Sequence, residues 1–226
     1  MSVSLVVMTD GRDDVLARTI ASAREMLEGE IAHRIMHDDS GDHFHRRRLM
    51  AEYPDFVHIG KGDRRGFGGA YRHTFEWLDS NRAELADYVF LLEDDFTFNR
   101  PVELFSMQGV LERNPDVVQI ALRRQAWSAT ERLAGGVIEQ HPEAYAERRD
   151  HLGNAWLEHR LFFTTNPSMF RRTLCRREWP AGAQSEGLFG HGIIRDDPDA
   201  VFAYWGTRDD TPWVEHIGDE RAGKGY

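Results

Sequence analysis

Short apolar runs alternate with amphipathic segments through the first half of the chain. The predicted strands cover residues 3–8, 33–37, 56–60 and 88–92. Apolar residues recur at helical spacing between these runs, which predicts helices over residues 15–27, 43–53 and 70–83. Strands and helices in strict alternation predict an α/β fold, with a doubly wound, mostly parallel sheet and helices on both faces.

The second half has a weaker pattern. A helix is predicted over residues 101–114, with Pro101 at its first position, and a strand over residues 117–122. Long loops are expected after this strand. The chain has no repeat, low-complexity tract or evident linker, so we expect one domain over residues 1–226.

Polar turns follow three of the predicted strands, at residues 9–14, 38–42 and 93–95. The carboxyl ends of parallel strands meet at one edge of a sheet, where ligands bind. In an extended chain Glu93 and Asp95 share one face and Asp94 takes the other. Carboxylates this close repel one another unless a cation neutralises them, and Mg²⁺ or Mn²⁺ suits such a set. A solvated strand end, or a cap on the next segment, is the alternative.

The Gly-rich turn at residues 62–69 precedes the helix predicted over residues 70–83. Backbone N–H groups at such a helix start bind anions. No Gly-Lys-Ser/Thr follows, so this is not a Walker P-loop. A close-packed helix start without a ligand is the competing interpretation.

Composition narrows the functional classes. The net charge is −10, from 38 acidic and 28 basic residues, which argues against a nucleic-acid binder. The basic residues are almost all Arg, often in pairs, and these either form solvated faces or grip phosphate. Cys175 has no partner for an internal disulfide, and no apolar stretch approaches the length of a membrane span. We therefore expect a soluble, cytoplasmic protein.

Together these segments resemble the nucleotide-sugar-dependent glycosyltransferases of the GT-A fold, and most nearly the inverting family 2. The matching pieces are 5-LVVMTDGR-12, 38-DDSGD-42, 66-GFGGA-70, 93-EDD-95, 185-SEGLFG-190 and 214-VEHIG-218. The triplet stands where the family carries its Asp-x-Asp metal motif. Two departures are that Glu93 opens this motif in place of Asp, and that Arg64 and Arg72 replace the Asn residues that flank the Gly-rich segment.

The resemblance implies roles for particular residues. Glu186 is expected to be the catalytic base. The metal, Mn²⁺ or Mg²⁺, is expected on Asp95 first, then Glu93 and His216. The expected donor-binding residues are Thr9, Asp10, Gly11, Arg12, Asp38, Asp39, Gly66, Phe67, Gly68, Gly69, Arg72, Glu93, Asp94, Arg221 and Lys224.

The implied activity is metal-dependent, inverting transfer of a sugar from a nucleotide-diphosphate sugar, most simply a UDP-sugar, to an acceptor hydroxyl. Residues 1–98 would bind the donor and residues 99–226 the acceptor. A nucleotidyltransferase of related fold and a non-catalytic nucleotide-sugar-binding module are the alternatives.

The acceptor stays open between a glycan, a protein side chain, a small molecule and, less favoured, a modified DNA base. The sequence leaves the oligomeric state open as well. Five tryptophans near the expected cleft could stack on a sugar, namely Trp127, Trp156, Trp179, Trp205 and Trp213. Of these Trp179 is favoured, because it precedes the segment of Glu186.

Overall fold

The computed structural model describes residues 2–60, 62–182 and 184–218. Its α-helices are α1 (Asp13–Met26), α2 (His43–Glu52), α3 (Gly66–Ser80), α4 (Leu104–Arg113), α5 (Ala129–Ala134) and α6 (Ser185–Asp196). Its strands are β1 (Val3–Thr9), β2 (Leu27–Glu28), β3 (Ile31–Asp38), β4 (Val57–Ile59), β5 (Tyr88–Glu93), β6 (Phe96–Phe98), β7 (Val102–Glu103), β8 (Val117–Ala121), β9 (Ala146–Arg149), β10 (Ala155–His159), β11 (Ser168–Arg171), β12 (Val201–Trp205) and β13 (Val214–His216). Two 3₁₀ helices cover Pro142–Ala144 and Arg172–Arg176.

Nine strands form one central sheet in the order β4-β3-β1-β5-β11-β8-β12-β10-β9. The first four strands in this order are parallel to one another. Strand β11 is antiparallel to both β5 and β8, and β10 is antiparallel to both β12 and β9, whereas β8 and β12 are parallel. Only β10 and β11 therefore run against the other seven strands. The α/β class and the mostly parallel sheet are confirmed.

Both faces of the sheet are covered, because its central strands are apolar on both sides. In β5, Phe90 and Leu92 belong to one buried cluster, and Val89 and Leu91 belong to the other. Helices α1 and α4 pack on the first face, and α3 and α6 pack on the second. A strand buried on both faces reads as a continuous apolar run, as residues 88–92 do.

Two short ladders lie outside the central sheet. Strand β13 pairs antiparallel with β6, which places His216 opposite Phe96. Strand β2 pairs in parallel with β7, which places Leu27 opposite Val102. The first ladder matters for function, because it brings the end of the described chain back to residues 93–95.

Two helix starts differ from the prediction. Helix α3 begins at Gly66, so residues 66–69 form its first turn and do not precede it. The helix predicted from Pro101 begins at Leu104 instead, because Val102 is fully buried and pairs with Leu27 as part of β7. In both places a tertiary contact, which propensity does not encode, sets the boundary.

The second half is more regular than its sequence predicts, since β9, β10, β11 and β12 all fall after residue 145. Strand β9 is exposed along its whole length and carries Glu147, Arg148 and Arg149, so it has no apolar alternation to detect. Charged residues on such an edge strand discourage pairing with another chain.

The central sheet continues from the predicted donor-binding half into the other half through the pairing of β5 with β11. The single domain and its division at residue 98 stay predictions. No helix in the described part of the chain combines the length and the apolarity needed to cross a membrane.

Strand β10 ends at His159, a buried imidazole among the rings of Tyr145, Phe162 and Tyr204. Burial lowers the pKa of His159 to about 4. In the unfolded chain this residue takes up a proton near its ordinary pKa of about 6.5, whereas the folded chain does not. Above pH 6.5 the protonation of His159 therefore does not affect the unfolding free energy. As the pH falls from 6.5 toward 4, the unfolded chain gains a proton that the folded chain does not, so the unfolding free energy decreases.

Replacing His159 with Asn keeps an acceptor for the N–H of Leu161, which lies 3.3 Å from Nδ1, but removes the titration. Between pH 7.5 and 5, the wild type should lose roughly 2 kcal/mol more unfolding free energy than this variant. Urea denaturation at the two pH values measures the difference. Substituting the exposed His151 with Asn should leave the pH dependence unchanged. Equal slopes for wild type and H159N would contradict the assignment.

Candidate donor and acceptor site

Three loops converge at the carboxyl ends of β1, β3 and β5. The register places Thr9 beside Asp38 and Met8 beside Glu93. Residues 10–12, residue 39 and residues 94–95 therefore follow directly at the same edge. This is the clustering that the sequence predicts for the polar turns.

Arg12 lies at the centre of this cluster. Its Nε donates to Asp10 at 3.0 Å, its Nη1 donates to Asp95 at 2.7 Å, and its Nη2 binds Asp94. Burial disfavours the charged guanidinium, but Asp94 and Asp95 outweigh burial, so the pKa of Arg12 lies above its ordinary value. The group is a permanent cation fixed to three carboxylates.

Asp94 anchors two loops from a buried position. Its Oδ2 accepts hydrogen bonds from Thr9 Oγ1 at 2.7 Å and from the backbone N–H of Asp10 at 3.3 Å. Its carbonyl oxygen accepts from Thr19 Oγ1 at 2.7 Å, which ties the turn to α1. Because both of its carboxylate oxygens bind protein donors, Asp94 holds the site together and does not face the pocket as a free ligand.

Asp95 contacts the last described segment of the chain. His216 Nε2 lies 3.3 Å from Asp95 Oδ2, and the N–H of Ile217 donates to the Asp95 carbonyl at 2.8 Å. Burial favours the neutral acid, but His216 and Arg12 outweigh it, so the pKa of Asp95 lies below its ordinary value. Its Oδ1 is buried and has no hydrogen-bond partner among the described residues.

Glu93 binds a different partner from Asp94 and Asp95. It ends β5 on the face that carries Val89 and Leu91, so its Oε1 meets α3, where Tyr71 donates a hydrogen bond of 2.8 Å. Burial, together with the nearby charge of Asp95, raises the pKa of Glu93 well above its ordinary value. The predicted alternation was wrong, because the strand ends at Glu93 and Arg12 binds Asp94 and Asp95 together.

The first turn of α3 faces the same space. The N–H of Arg65 donates to Asp39 Oδ1 at 2.6 Å, which fixes the helix start against the loop after β3. A Cβ built on Gly68 would lie 3.0 Å from Ser185 Oγ, so α3 approaches the start of α6 closely at this point. Glycine at residue 68 permits that approach.

Glu186 lies in the first turn of α6, where a loop was expected. Its Oε1 accepts the N–H of Thr165 at 2.6 Å. Burial raises the pKa of Glu186, and the hydrogen bond from Thr165 opposes that rise only in part. A carboxylate with a raised pKa is suited to general-base chemistry near neutral pH.

Two adjoining pockets occupy this edge. The first pocket is lined by Met8, Thr9, Asp10, Arg12, Asp39, Arg64, Gly66, Phe67, Ala70, Tyr71, Glu93, Asp94 and Asp95. The second pocket is lined by Phe67, Glu93, Phe96, Arg124, Trp127, Thr164, Thr165, Asn166, Gln184, Ser185, Glu186, Gly187 and His216. Phe67 and Glu93 line both pockets. A molecule in one pocket can therefore contact a molecule in the other.

The residues present fit a divalent cation with few protein ligands. Asp95 offers a buried oxygen without a partner, and His216 offers an imidazole nitrogen beside it. Within the described ranges, no group of three His, Cys, Asp or Glu side chains is placed to hold a metal. Mg²⁺ and similar ions commonly bind through one or two carboxylates and substrate phosphates. Asp95 and His216 fit such a site, whereas Glu93 is engaged by Tyr71.

Several predicted donor-binding residues lie elsewhere. Asp38 is buried, accepts from the N–H of Ser40 at 2.9 Å and contacts His45 Nδ1 at 3.2 Å, so it shapes its own loop. Arg72 donates to the Trp179 carbonyl at 2.9 Å. None of the residues Gly11, Asp38, Gly68, Gly69 and Arg72 lines the first pocket. Arg221 and Lys224 lie outside the described residues.

The favoured tryptophan is not in the cleft. Trp179 is fully buried and stacks between Tyr71 and Phe189, with ring centroids at 4.6 and 4.5 Å. It is part of the core between α3 and α6, so its prediction as a sugar platform was wrong. The tryptophan that lines the second pocket is Trp127, whose ring lies 4.0 Å from that of His216.

Sequence reasoning missed Tyr71, Arg124 and Thr165. Tyr71 lies four residues after Phe67, so both occupy one face of α3, and this spacing was a usable signal. Arg124 is placed by Glu131, which accepts from Nη1 at 2.7 Å and from Nη2 at 3.0 Å. Thr165 carries no sequence signal, since its role depends on a contact with α6.

Replacing Tyr71 with Phe removes the hydroxyl that donates to the half-buried Glu93. The expected loss of unfolding free energy is about 1–3 kcal/mol, because a half-buried acceptor loses its donor. Tyr145 provides a matched control, since its buried hydroxyl has no hydrogen-bond partner in the described structure. Tyr145→Phe should be neutral or slightly stabilising in the same urea titration. A Tyr71→Phe variant as stable as Tyr145→Phe would show that the hydrogen bond contributes nothing.

No family model matches the sequence, and a search of curated proteins finds no match. Solved structures do match the fold. S. aureus TarS, residues 1–349, superposes with a TM-score of 0.61 at 14% identity, over 96% of this chain and 60% of that one. GalNAc-T7, solved with UDP, GalNAc and Mn²⁺, gives a TM-score of 0.64 at 8% identity, over 100% of this chain and 45% of that one.

The mannosyltransferase PcManGT from Pyrobaculum calidifontis, in complex with GDP-Man and Mn²⁺, gives a TM-score of 0.58 at 13% identity, over 97% of this chain and 58% of that one. The chain thus spans between 45% and 60% of the length of these structures. At such low identity the likeness concerns the fold. The protein has the GT-A fold of glycosyltransferases.

Proposed function

We propose that the protein is a glycosyltransferase that moves a sugar from a nucleotide-diphosphate sugar to an acceptor hydroxyl. The observation that carries this proposal is the pair of adjoining pockets, with Arg12 and Asp95 lining the first and Glu186 lining the second. The GT-A fold supports it, as do the UDP and GDP-Man bound in two of the similar structures. A UDP-sugar as donor and a place in the inverting family 2 are parts of the proposal.

The donor's diphosphate would lie in the first pocket, beside Arg12, Arg64 and the N-terminal turn of α3. The N–H groups of that turn point toward an anion, and the helix dipole favours negative charge there. Asp95 and His216 would hold a divalent cation. When bound, such a cation neutralises the leaving diphosphate as a Lewis acid.

Glu186 would take the proton from the acceptor hydroxyl. Its hydrogen bond from Thr165 orients the carboxylate, which lines the second pocket. Attack from the second pocket on a sugar held in the first is a direct displacement, which inverts the anomeric configuration. Glu93 and Phe67 line the junction, where the two substrates would meet.

A neutral, hydroxyl-rich acceptor fits the second pocket best. Arg124 is engaged by Glu131 through both Nη atoms, and His216 faces Asp95. The other polar side chains lining this pocket are acids, hydroxyls and amides, so the described lining offers no uncommitted cation for a phosphate or carboxylate. A sugar or polyol hydroxyl is therefore proposed, ahead of a protein side chain or a DNA base.

Glu131 also positions a ring for this acceptor. Its side chain accepts the N–H of Trp127 at 2.6 Å and completes the capping box with Ser128 at the start of α5. The half-buried Trp127 ring thus forms a fixed wall of the second pocket. An aromatic face of this kind packs against the apolar face of a sugar ring.

A nucleotidyltransferase is the weaker alternative. Such enzymes usually carry a Gly-rich loop with Lys or Arg directly after the first strand, whereas residues 9–14 here contain three Asp and one Arg. A non-catalytic binding module is distinguished by experiment. It would bind a nucleotide sugar, and no property of such a module would change when Glu186 is replaced.

The first test is a donor screen followed by a Glu186→Gln variant. Thermal shift with UDP-, GDP-, ADP- and TDP-sugars, with and without Mn²⁺, should show stabilisation by one base class. Stabilisation by none of them would refute the proposal. With that donor, Glu186→Gln should keep its affinity and lose about 10²- to 10⁴-fold in kcat, as expected for a lost general base.

The role of Glu186 also predicts how kcat/KM depends on pH. A base works only when ionised, so kcat/KM should fall as the pH drops through the pKa of Glu186. Because burial raises that pKa, the acid limb should lie above the range of an ordinary glutamate. The exposed Glu76 on α3 provides the control, and Glu76→Gln should alter neither kcat nor the profile. An unchanged acid limb in Glu186→Gln would contradict the role.

The proposed contact between the Trp127 ring and the acceptor is tested with Trp127→Ala and Trp127→Phe. Loss of the ring should raise KM for a saccharide acceptor by about two- to tenfold, in line with the roughly 0.5–1.5 kcal/mol of an aromatic contact, and leave KM for the donor unchanged. Trp127→Phe should have a KM for the acceptor much closer to that of the wild type. Equal effects on donor and acceptor, or no preference for neutral over anionic saccharides, would count against this placement.

A further inference from the structure

Arg12 occupies the position where the predicted metal motif needs a cation. Its guanidinium contacts Asp10, Asp94 and Asp95 through three different nitrogen atoms. The side chains of Asp94 and Asp95 are 2% and 5% exposed, so their charges depend on this partner and not on water. Arg12 therefore already offsets part of the negative charge of these two buried carboxylates before any metal or donor binds.

Arg12 and a divalent cation would compete for the same residue. Asp95 Oδ2 accepts from Arg12 Nη1 at 2.7 Å and lies 3.3 Å from His216 Nε2. A divalent cation held by Asp95 and His216 would place two more positive charges beside the guanidinium. Like charges at such a distance in a buried site repel. Binding of such a cation should therefore weaken the contact of Nη1 with Asp95 Oδ2, even if the cation binds through the unpartnered Oδ1.

The surroundings restrict where Arg12 can go. A Cβ built on Gly218 would collide with Asp95 Oδ2 and lie 2.9 Å from Arg12 Nη1, so the backbone at residue 218 closes one side of the ion pair. Arg12 also lines the first pocket. The open direction for its guanidinium is therefore into the space proposed for the diphosphate.

We propose that Arg12 is the counter-ion of Asp94 and Asp95 in the donor-free protein, and that metal binding displaces it from Asp95 onto the donor's diphosphate. The diphosphate part of this inference rests on the proposed function. Arginine suits both states, because its planar fork binds several oxygens of carboxylates or of a phosphate at once.

This exchange couples the metal to the nucleotide. Without a diphosphate, a metal at Asp95 and His216 has few protein ligands and leaves Arg12 with one carboxylate fewer. A diphosphate supplies oxygens to the metal and an anionic partner to Arg12. Each ligand should then strengthen the binding of the other by the same factor, as thermodynamic linkage requires.

The test measures Mn²⁺ binding, by electron paramagnetic resonance of the free ion, with and without UDP or GDP. For the wild type, Mn²⁺ alone should bind weakly, and the matching nucleoside diphosphate should tighten it at least tenfold. Arg12→Gln should bind Mn²⁺ alone at least tenfold more tightly than the wild type, with a much smaller further gain from the nucleotide. Catalytic activity does not enter the readout.

Arg64→Gln is the matched control, because Arg64 lines the same pocket and its loss removes the same charge. It should change the affinity for Mn²⁺ alone by less than threefold. Arg12→Lys keeps the charge but cannot span three carboxylates, so it should fall between wild type and Arg12→Gln. If Arg12→Gln does not fold, Arg12→Lys tests the inference in its place.

An affinity for Mn²⁺ alone that is unchanged or weaker in Arg12→Gln overturns the inference, as does the absence of Mn²⁺ binding in every variant. If such a result comes with nucleotide-sugar binding and transfer by the wild type, the proposed function stands without the exchange. If Arg12→Gln binds Mn²⁺ more tightly but no nucleotide sugar binds, the counter-ion role stands and the proposed function fails.

Discussion

The ion pairs of Arg12 are the interaction on which the site depends. Three loops and one helix come together at residues 93–95, and their carboxylates would repel one another without a buried cation. Arg12 supplies it from the loop after β1, while Thr9 and Thr19 add hydrogen bonds to Asp94. Removing Arg12 would leave uncompensated negative charge in the interior.

Beneath the pockets, a cluster of aromatic rings joins the two halves of the site. Trp179 packs against Tyr71 and Phe75 of α3 and against Phe189 of α6. Tyr71 extends from this cluster to Glu93, and Glu186 lies one helical turn before Phe189. The spacing between the donor side and the acceptor side is therefore set by packed rings, which resist compression and shear.

The sequence predicted the first half well, because buried parallel strands and amphipathic helices leave strong periodic signals. Residues 88–92 and the turn at residues 93–95 are clear examples. It predicted the second half less well, since β9 is a charged edge strand and β11 lies antiparallel between two strands distant in sequence. Pairings of this kind depend on tertiary contacts and leave no local pattern. The same limit explains why the sequence favoured Trp179 over Trp127. Both were candidates, but only packing decides which ring is exposed to a ligand.

The ladder between β6 and β13 has a consequence for how the site can open. Three residue pairs hold it, outside the nine-stranded sheet, and it carries His216 to Asp95. Separating these two strands would withdraw an imidazole, the N–H of Ile217 and the backbone at Gly218 from the aspartate in one step. Gln125 also exchanges two hydrogen bonds with the backbone of His216. Separating the strands would expose Phe96, Phe98 and Val214, which belong to the main buried core, so the cation site stays assembled as long as that core is intact.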